Sequence, residues 1–265
     1  HPTTVMCSYN RLNGTYLSDH KRFLTDVLRD EWGYKGIVVS DWGAVNDRAE
    51  GVKAGLDLEM PGSKGLNDDS VYKALEAGTL TEEDIDKVVL RLIRFAYENT
   101  VREIEGVTFD IEKHNEVARK AAEGGAVLLK NDGILPLNKN QNIAVIGKLA
   151  KKIRYQGGGS SHILPTKLTS FTDALDKVGQ PYEYADSYVL KGEGYKKSLI
   201  NKAVKVAKDK DVVLLFIGLT DAFESEGYDR HHIKMPSSHV TLINEILKVN
   251  KNVVVVLSCG SPVEI

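Results

Sequence analysis

The chain has 265 residues and a formal net charge of −2, with 42% hydrophobic and 27% charged residues. This composition is typical of a globular protein with its own core, and the length allows one large domain or two ordinary ones. A nucleic-acid-binding protein would show a basic excess or a basic stripe, and neither is visible. No apolar run approaches the roughly 20 residues needed to cross a bilayer. We therefore predict no nucleic-acid partner and no membrane partner.

The two cysteines, Cys7 and Cys259, each follow an apolar run of the kind found in buried strands. A disulfide framework would need more cysteines in a shorter chain. We predict that both are free thiols at buried strand ends, and the expected location of the protein is cytoplasmic.

The first hundred residues alternate short strands with helices. Strands are predicted over residues 4–8, 37–39 and 56–58, and helices over residues 19–32, 46–53, 70–77 and 81–97. The predicted N-caps are Ser18 or Asp19 for the first helix, Asn46 for the second and Thr81 for the last. An apolar stripe with the helical period predicts that the last helix buries one face. The stripe comprises Ile85, Val88, Val89, Leu92, Ile93 and Ala96.

A polar connection near residues 103–110 and a helix over 111–123 lead to a second series of strands and helices. Strands are predicted over residues 126–129, 143–146, 182–184, 212–217 and 253–257, and helices over residues 170–178, 195–208 and 237–249. Strands that alternate with helices predict a parallel sheet with helices on its faces. The predicted domains are residues 1–104 and 125–265, joined by a linker and helix over 105–124.

Polar side chains at the C-terminal ends of parallel strands are the first candidates for catalysis. Asp41 follows the apolar strand at 37–39, and Trp42 beside it offers an apolar face to a sugar ring. Glycoside hydrolysis needs a fixed carboxylate on one side of the anomeric carbon and a proton donor on the other. As an alternative, Asp41 merely caps the next helix or pairs with Arg48.

Two glutamates, Glu224 and Glu226, lie in the loop after the strand at 212–217. In a functional interpretation, one of them is kept protonated by burial and by the charge of the nucleophile. It would protonate the leaving oxygen and later deprotonate water. As an alternative, the two acids belong to a solvated charge run with Asp229 and Arg230.

A glycine loop, residues 157–161, follows the strand at 143–146. Such a loop can cradle phosphate with its backbone N–H groups. However, it matches neither of the common nucleotide-binding motifs and lacks the lysine of a P-loop. Nucleotide binding is therefore disfavoured.

Six segments in order along the chain resemble the two-domain β-glucosidase branch of glycoside hydrolase family 3. They read VMCSYNRLNG (5–14), GIVVSDW (36–42), AGLDLEMPG (54–62), GAVLLKNDGILPL (125–137), GGGSS (157–161) and ESEGYDR (224–230). The resemblance implies an α/β fold: the C-terminal portion of a (β/α)8 barrel, followed by an αβα sandwich domain with a mostly parallel sheet. It also implies that the sandwich is incomplete at its C-terminus and that the substrate pocket lies between the two domains.

The resemblance also implies roles for single residues. Asp41 matches the family's nucleophile in the SDW motif, and the acid/base falls on the loop at 224–226. We favour Glu226, because a glutamate directly before the glycine matches the family's EGxDR pattern, and Glu224 stays open. The residues implied to contact the substrate are Met6, Tyr9, Trp42, Ser160 and Glu224.

The implied activity is that of a retaining β-glycoside hydrolase, in particular a β-glucosidase. It would release glucose from the non-reducing end of a β-glucoside or oligosaccharide, without a metal or an organic cofactor. Alternatives are a β-xylosidase or a β-N-acetylglucosaminidase of the same family, or a catalytically incompetent sugar-binding or structural relic. The second-domain glutamate loop disfavours the glucosaminidase, because single-domain members with that activity take their acid from a His-Asp pair in the barrel.

The resemblance covers only the last three strands of an eight-stranded barrel. We therefore expect an internal fragment that is inactive when isolated, since three strands cannot close a barrel. An apolar surface should then be exposed, and association into a homo-oligomer or with the missing barrel portion would cover it.

Overall fold

The computed structural model describes residues 2–100, 106–191 and 196–265. The chain divides into two compact units, His1–Thr108 and Phe109–Ile265. Each unit has its own hydrophobic core, so each is described by itself.

The first unit begins with strand β1 (Thr4–Cys7) and a hairpin of β2 (Arg11–Leu12) and β3 (Thr15–Tyr16). A 3-10 turn (Leu17–Asp19) and a π-helix (Arg22–Glu31) follow, and then strand β4 (Ile37–Ser40). Three α-helices complete the unit: α1 (Arg48–Ala54), α2 (Asp68–Glu76) and α3 (Glu82–Thr100).

Strands β1 and β4 pair in parallel, with Cys7 opposite Ser40. Their C-terminal ends therefore lie side by side, which is the edge where the sequence predicts catalytic residues. The predicted third strand at 56–58 is present only as a bridge between Leu58 and Val39. The main-chain N–H of Leu58 donates to the carbonyl oxygen of Val38 at 3.1 Å, and the carbonyl oxygen of Leu58 accepts from the Ser40 N–H at 2.9 Å.

The predicted caps of the first two helices are wrong. The first helix begins at Arg22, and the buried Ser18 hydroxyl donates instead to the Asp19 carboxylate. Asp19 in turn accepts from the Asn46 amide at 2.8 Å, so Asn46 caps nothing. Asp47 caps α1, because its carboxylate accepts from two main-chain N–H groups of the first turn. Local propensity alone did not distinguish these neighbouring polar residues.

Thr81 caps α3 as predicted, through reciprocal hydrogen bonds with Asp84. The predicted buried stripe on α3 is only partly correct. Val88 is buried, but Val89 and Ile93 are 43% and 61% exposed. The reason is that the core around Val88 is supplied by α1, α2 and Leu80, which cover one side of the stripe only.

The second unit begins with α4 (Ile111–Gly125) and strand β5 (Ile143–Ile146), followed by a 3-10 turn (Lys148–Ala150). The remaining elements are α5 (Phe171–Val178), β6 (Tyr182–Ala185), α6 (Lys197–Ala207), β7 (Val212–Gly218), α7 (Ser237–Val249) and β8 (Val253–Ser258). The predicted start of α6 at Tyr195 lies outside the described residues.

The four strands of the second unit form one sheet in the order β6-β5-β7-β8, with every pair parallel. The predicted parallel sheet is therefore confirmed. Strands β5 and β7 are completely buried in the centre, which explains their uninterrupted apolar sequences. Helices pack on the sheet: the Phe171 ring of α5 lies 4.7 Å from the Phe216 ring of β7.

The predicted strand at 126–129 is wrong. These residues are irregular, and Val127, Leu128 and Leu129 are exposed. An apolar run forms a strand only where another strand pairs with it, and no described strand pairs with this segment.

Both cysteines are free thiols, as predicted. Cys7 is buried, and burial raises the pKa of its thiol. The prediction that Cys259 is buried is wrong, since it lies exposed just after β8. Among the described residues, no helix is long and apolar enough to cross a membrane.

Candidate functional site

Asp41 stands at the C-terminal end of β4, where β1 and β4 end together. Its main-chain N–H donates to the carbonyl oxygen of Cys7 at 3.1 Å, which continues the pairing of the two strands. The Tyr9 hydroxyl donates to Oδ1 of Asp41 at 2.9 Å, and the main-chain N–H of Trp42 donates to the same oxygen at 2.7 Å. The carboxylate is therefore fixed by rigid backbone and by two donors.

The structural alternatives for Asp41 are not found. The next helix, α1, is capped by Asp47. The Arg48 guanidinium donates to the carbonyl oxygens of Leu56 at 3.3 Å and Asp57 at 3.1 Å. Asp41 is thus held at the strand end for a reason other than capping or an ion pair with Arg48.

Three exposed side chains, those of Met6, Tyr9 and Trp42, belong to residues at or just beyond the C-terminal ends of β1 and β4. Each is about half exposed, with Trp42 at 57%. The carbonyl oxygen of Trp42 lies 2.9 Å from the same Tyr9 hydroxyl, so the one phenol proton is shared between two acceptors and the two loops lie in contact. Large apolar side chains beside a fixed carboxylate fit a ring with polar edges and apolar faces.

A buried charge cluster supports the strand that carries Asp41. The Asp57 side chain is completely buried and pairs with Arg29 at 2.6 Å and Arg91 at 2.5 Å. It also accepts from the main-chain N–H of Val38 at 2.7 Å, in the middle of β4. Burial lowers the pKa of Arg29, and the charge of Asp57 opposes that shift. This cluster was not predicted from the sequence, although the acid inside the apolar run at 56–58 was a usable signal.

In the second unit, Glu224 is almost buried, with 13% of its side chain exposed. Its carboxylate accepts from the main-chain N–H of Gly260, at 3.1 Å to each oxygen, and from the Ser261 hydroxyl. The Arg154 guanidinium lies 3.3 Å from the same carboxylate. Glu224 is therefore fully engaged inside the protein and is not part of a solvated charge run.

Glu226, two residues later, is exposed. The main-chain N–H of Ser160 donates to its Oε2 at 2.6 Å. Its own main-chain N–H donates to the carbonyl oxygen of Gly158 at 3.2 Å. The predicted site residues Ser160 and Glu226 are thus in contact, through the backbone of Ser160.

The glycine loop has a steric role. A Cβ on Gly159 would lie 2.5 Å from the Cβ of Glu226 and 2.6 Å from its Oε2, and Gly159 has a φ of +90°. A Cβ on Gly158 would collide with the Ser225 side chain. Glycines are required here because the backbone approaches the 224–226 loop closely.

The two glutamates differ in burial within this unit. The more buried glutamate, Glu224, faces a guanidinium, while Glu226 is exposed. Both line a cleft of about 850 Å³. Its walls also include Arg154, Gly158, Tyr228 and Cys259. The glycine loop, the glutamates and the end of β8 therefore surround one cavity of the size that binds small molecules.

No group of three or more His, Cys, Asp or Glu residues in the described part of the chain could hold a metal ion.

Two family models match the chain. Residues 2–95 match the N-terminal domain of glycosyl hydrolase family 3, and residues 126–265 match the C-terminal domain of that family. The chain belongs to glycosyl hydrolase family 3. The predicted family is confirmed, and with it the α/β fold class of a barrel portion followed by a sandwich domain.

Similar curated proteins cover the whole chain. Thermostable β-glucosidase B of Acetivibrio thermocellus is 45% identical over 99% of the chain, and the chain covers 35% of that protein. Exo-α-(1→6)-L-arabinopyranosidase of Bifidobacterium breve is 46% identical over 100% of the chain, and the chain covers 36% of it. The family 3 chain thus spans little more than a third of the length of these relatives.

Solved structures of the family are similar as well. The crystal structure of a Bifidobacterium adolescentis β-glucosidase has a TM-score of 0.88 at 47% identity, over 99% of this chain and 39% of that one. β-Glucosidase 3B from Thermotoga neapolitana, in complex with glucose, has a TM-score of 0.80 at 29% identity. That comparison covers 100% of this chain and 42% of the Thermotoga chain.

Proposed function

We propose that the protein containing this chain is a retaining β-glucosidase, in which Asp41 is the nucleophile and Glu226 the acid/base. The observation that carries the proposal is the fixed carboxylate of Asp41 at the end of β4, held by Tyr9 and by the Trp42 N–H. The similarity to β-glucosidases over nearly the whole chain supports the same activity.

In the first step, Asp41 attacks the anomeric carbon while the bond from that carbon to the leaving oxygen breaks. Both donors to Asp41 fall on Oδ1, so we assign the attack to Oδ2. Glu226 gives its proton to the leaving oxygen, and the aglycone departs as an alcohol. The products of this step are a glycosyl ester on Asp41 and an ionised Glu226.

In the second step, Glu226 takes a proton from water as the water oxygen attacks the anomeric carbon. The ester bond to Asp41 breaks, which restores both carboxyl groups and releases glucose with its configuration retained. This double displacement requires carboxyl groups about 5–5.5 Å apart in the working complex. The exposure of Glu226 is consistent with access to both the leaving group and water.

Met6, Tyr9 and Trp42 are proposed to line the sugar subsite. Their exposed apolar surfaces match the C–H face of a pyranose, and the Tyr9 hydroxyl holds the attacking carboxylate. Ser160 contributes its main-chain N–H to Glu226 and so belongs to the acid/base side of the site.

A second candidate substrate is an α-L-arabinopyranoside, because an exo-α-(1→6)-L-arabinopyranosidase is 46% identical to the chain. The β-xyloside and β-N-acetylglucosaminide alternatives also remain. The glucoside, arabinopyranoside and xyloside activities would use the same two carboxyl groups and would differ only in the sugar that is accepted.

Product stereochemistry and substrate choice test the proposal together. The complete open reading frame that contains these residues is assayed with 4-nitrophenyl β-D-glucoside, β-D-xyloside, α-L-arabinopyranoside and β-N-acetylglucosaminide. We expect the highest kcat/KM for the glucoside, and β-glucose as the first product in a proton NMR time course. Appearance of α-glucose first would contradict the retaining mechanism, and preference for another sugar would reassign the substrate.

We also propose that the 265 residues alone do not turn over β-glucosides. They span only 35% of the length of their β-glucosidase relative, and apolar side chains such as Ile93 and Trp42 are exposed. Covering of this surface by a homo-oligomer or by further barrel strands stays a prediction. Ordinary turnover by the isolated 265 residues would contradict the proposal that they are inactive alone.

A further inference from the structure

We infer that four side chains, Arg154, Glu224, Ser261 and Arg230, form a positioning network for the loop that carries Glu226. None of the four would exchange a proton with the substrate. The inference rests on the proposed function, since it assigns to Glu224 a role distinct from that of Glu226. All four residues lie in the second unit.

The first link joins the glutamate loop to the segment just before the glycine loop. Nη1 of Arg154 donates to the carbonyl oxygen of Leu219 at 2.6 Å, and Nη2 donates to that of Glu224 at 3.0 Å. Nη2 also lies 3.3 Å from the Glu224 carboxylate, and only 11% of the arginine side chain is exposed. One nearly buried guanidinium therefore fixes both the start and the middle of the loop.

The second link joins the same loop to the chain after β8. Glu224 accepts from the Gly260 N–H and from the Ser261 hydroxyl, so the carboxylate has partners on two sides. A nearly buried carboxylate with an arginine and three hydrogen bonds holds its geometry strongly, because loss of any partner leaves a charged group unsatisfied.

The third link fixes the loop beyond Glu226. Nη1 of Arg230 donates to the Ser261 oxygen at 2.8 Å and to the carbonyl oxygen of Pro262 at 2.7 Å. The Ser261 hydroxyl thus donates to Glu224 and accepts from Arg230 at the same time. Of these two partners of Ser261, Glu224 lies two residues before Glu226 and Arg230 lies four residues after it.

The network explains how an exposed side chain can be held in place. Glu226 itself reaches the rest of the unit through the glycine loop, at Gly158 and Ser160. Glu226 lies between Glu224 and Arg230 in the sequence, and the side chains of both neighbours hydrogen-bond to the Ser261 hydroxyl. Catalytic geometry is sensitive to shifts of about 1 Å. Loss of these hydrogen bonds should therefore impair proton transfer by Glu226 even though Glu226 itself is present.

The test compares Glu224→Gln, Ser261→Ala and Glu226→Gln in the complete protein, with Glu245→Gln as the control. Glu245 is a surface glutamate that pairs only with Lys248 among the described residues, so its charge is removed without touching the network. Each variant is assayed with 2,4-dinitrophenyl and 4-methoxyphenyl β-glucosides, with and without azide. The first leaving group needs no proton and the second does.

We expect Glu226→Gln to lose about 100-fold or more in kcat/KM on the methoxyphenyl substrate only, as for a missing general acid. On the dinitrophenyl substrate its kcat should fall for lack of the base, and azide should restore it by forming β-glucosyl azide. Glu224→Gln and Ser261→Ala should lose about 10-fold on both substrates, keep the alkaline limb of the pH profile and form no azide product. Ser261→Thr, which keeps the hydroxyl, should recover most of the activity.

Amide hydrogen exchange provides a readout that does not depend on turnover. Exchange in the segment 224–230 should be at least about tenfold faster in Glu224→Gln and Ser261→Ala than in the wild type and in Glu245→Gln. Unchanged exchange would overturn the inference. Azide rescue of Glu224→Gln would also overturn it, by making Glu224 the acid/base. By contrast, a wild-type protein that cleaves none of the glycosides would overturn the proposed function alone.

Discussion

The main-chain N–H of Ser160 donates a hydrogen bond of 2.6 Å to Oε2 of Glu226, although the two residues are 66 positions apart. The contact joins the loop after β5 to the loop after β7, which are adjacent strands of the sheet. It depends on Gly159, whose φ of +90° and missing Cβ let the two loops meet. The close approach of this loop to Glu226 therefore explains why it contains glycines, and phosphate binding is not needed to explain them.

Gly159→Ala should lower kcat/KM by about 100-fold, because misplacement of a catalytic group by about 1 Å has effects of that size. The new Cβ would lie 2.5 Å from the Cβ of Glu226. The control is Gly179→Ala, since Gly179 has a φ of +70° with open space around it. That variant should lose about 1 kcal/mol of stability through strain and keep its activity. Equal activities of the two variants would contradict the role of Gly159.

Tyr9→Phe should lower kcat/KM for β-glucosides by about 10- to 100-fold. The lost hydrogen bond reaches a charged group, and such bonds contribute about 1.5–3 kcal/mol. The phenol ring stays, so the effect reports the hydroxyl that holds Oδ1 of Asp41 at 2.9 Å. Tyr72→Phe, at an exposed tyrosine, is the matched control and should be neutral. Steady-state kinetics of both variants give the answer.

Asp57→Asn should destabilise the first unit by about 3–5 kcal/mol, because removal of one partner leaves buried charges uncompensated. Asp57 is completely buried between Arg29 and Arg91. Both tryptophans, Trp32 and Trp42, lie in this unit, so urea unfolding followed by tryptophan fluorescence reports its stability. Glu50→Gln, which removes a surface pair with Lys53, should cost less than about 1 kcal/mol. Similar losses in both would contradict the importance of burial.

The buried His239 should make stability depend on pH. It packs 4.1 Å from the Tyr188 ring, accepts from the Gly218 N–H at 3.3 Å, and burial lowers its pKa to about 4. As the pH falls, the unfolded chain takes up the His239 proton before the folded chain does. The contribution of the neutral, buried His239 to stability is therefore complete above about pH 6.5 and is lost as the pH falls toward 4. The total change should be about 3 kcal/mol.

His239→Asn keeps an acceptor for the Gly218 N–H but does not titrate in this range. The difference in unfolding free energy between wild type and variant, measured by urea unfolding and circular dichroism, should therefore shrink as the pH is lowered from 6.5 to 4. A difference that does not change with pH would show that His239 does not carry the effect.

Much of the fold followed from local pattern. Uninterrupted apolar runs predicted β4, β5 and β7, and the alternation of strands with helices predicted the parallel sheet. The position of Asp41 at a strand end followed from the same pattern. The apolar run at 126–129 predicted a strand that does not form, because the sequence does not reveal whether another strand pairs with this segment.

The details of the site depend on partners that are distant in the sequence. Glu224 and Glu226 are two residues apart in one polar loop, and local pattern cannot separate them. They differ because Arg154 and Ser261 meet the first, while the Ser160 N–H meets the second. The sequence predicted a helix in the region of Arg22–Glu31 but not that it is a π-helix, because its apolar spacing also suits an α-helix.

Covalent trapping tests the central claim most directly. The complete protein is incubated with 2,4-dinitrophenyl 2-deoxy-2-fluoro-β-D-glucoside, digested, and the labelled peptide is sequenced by mass spectrometry. The fluorine slows hydrolysis of the glycosyl ester, so the nucleophile stays labelled. We predict one fluoroglucosyl group on Asp41 and none in the Asp41→Asn variant. A label on another carboxylate, or persistent labelling of Asp41→Asn, would contradict the assignment of Asp41 as the nucleophile.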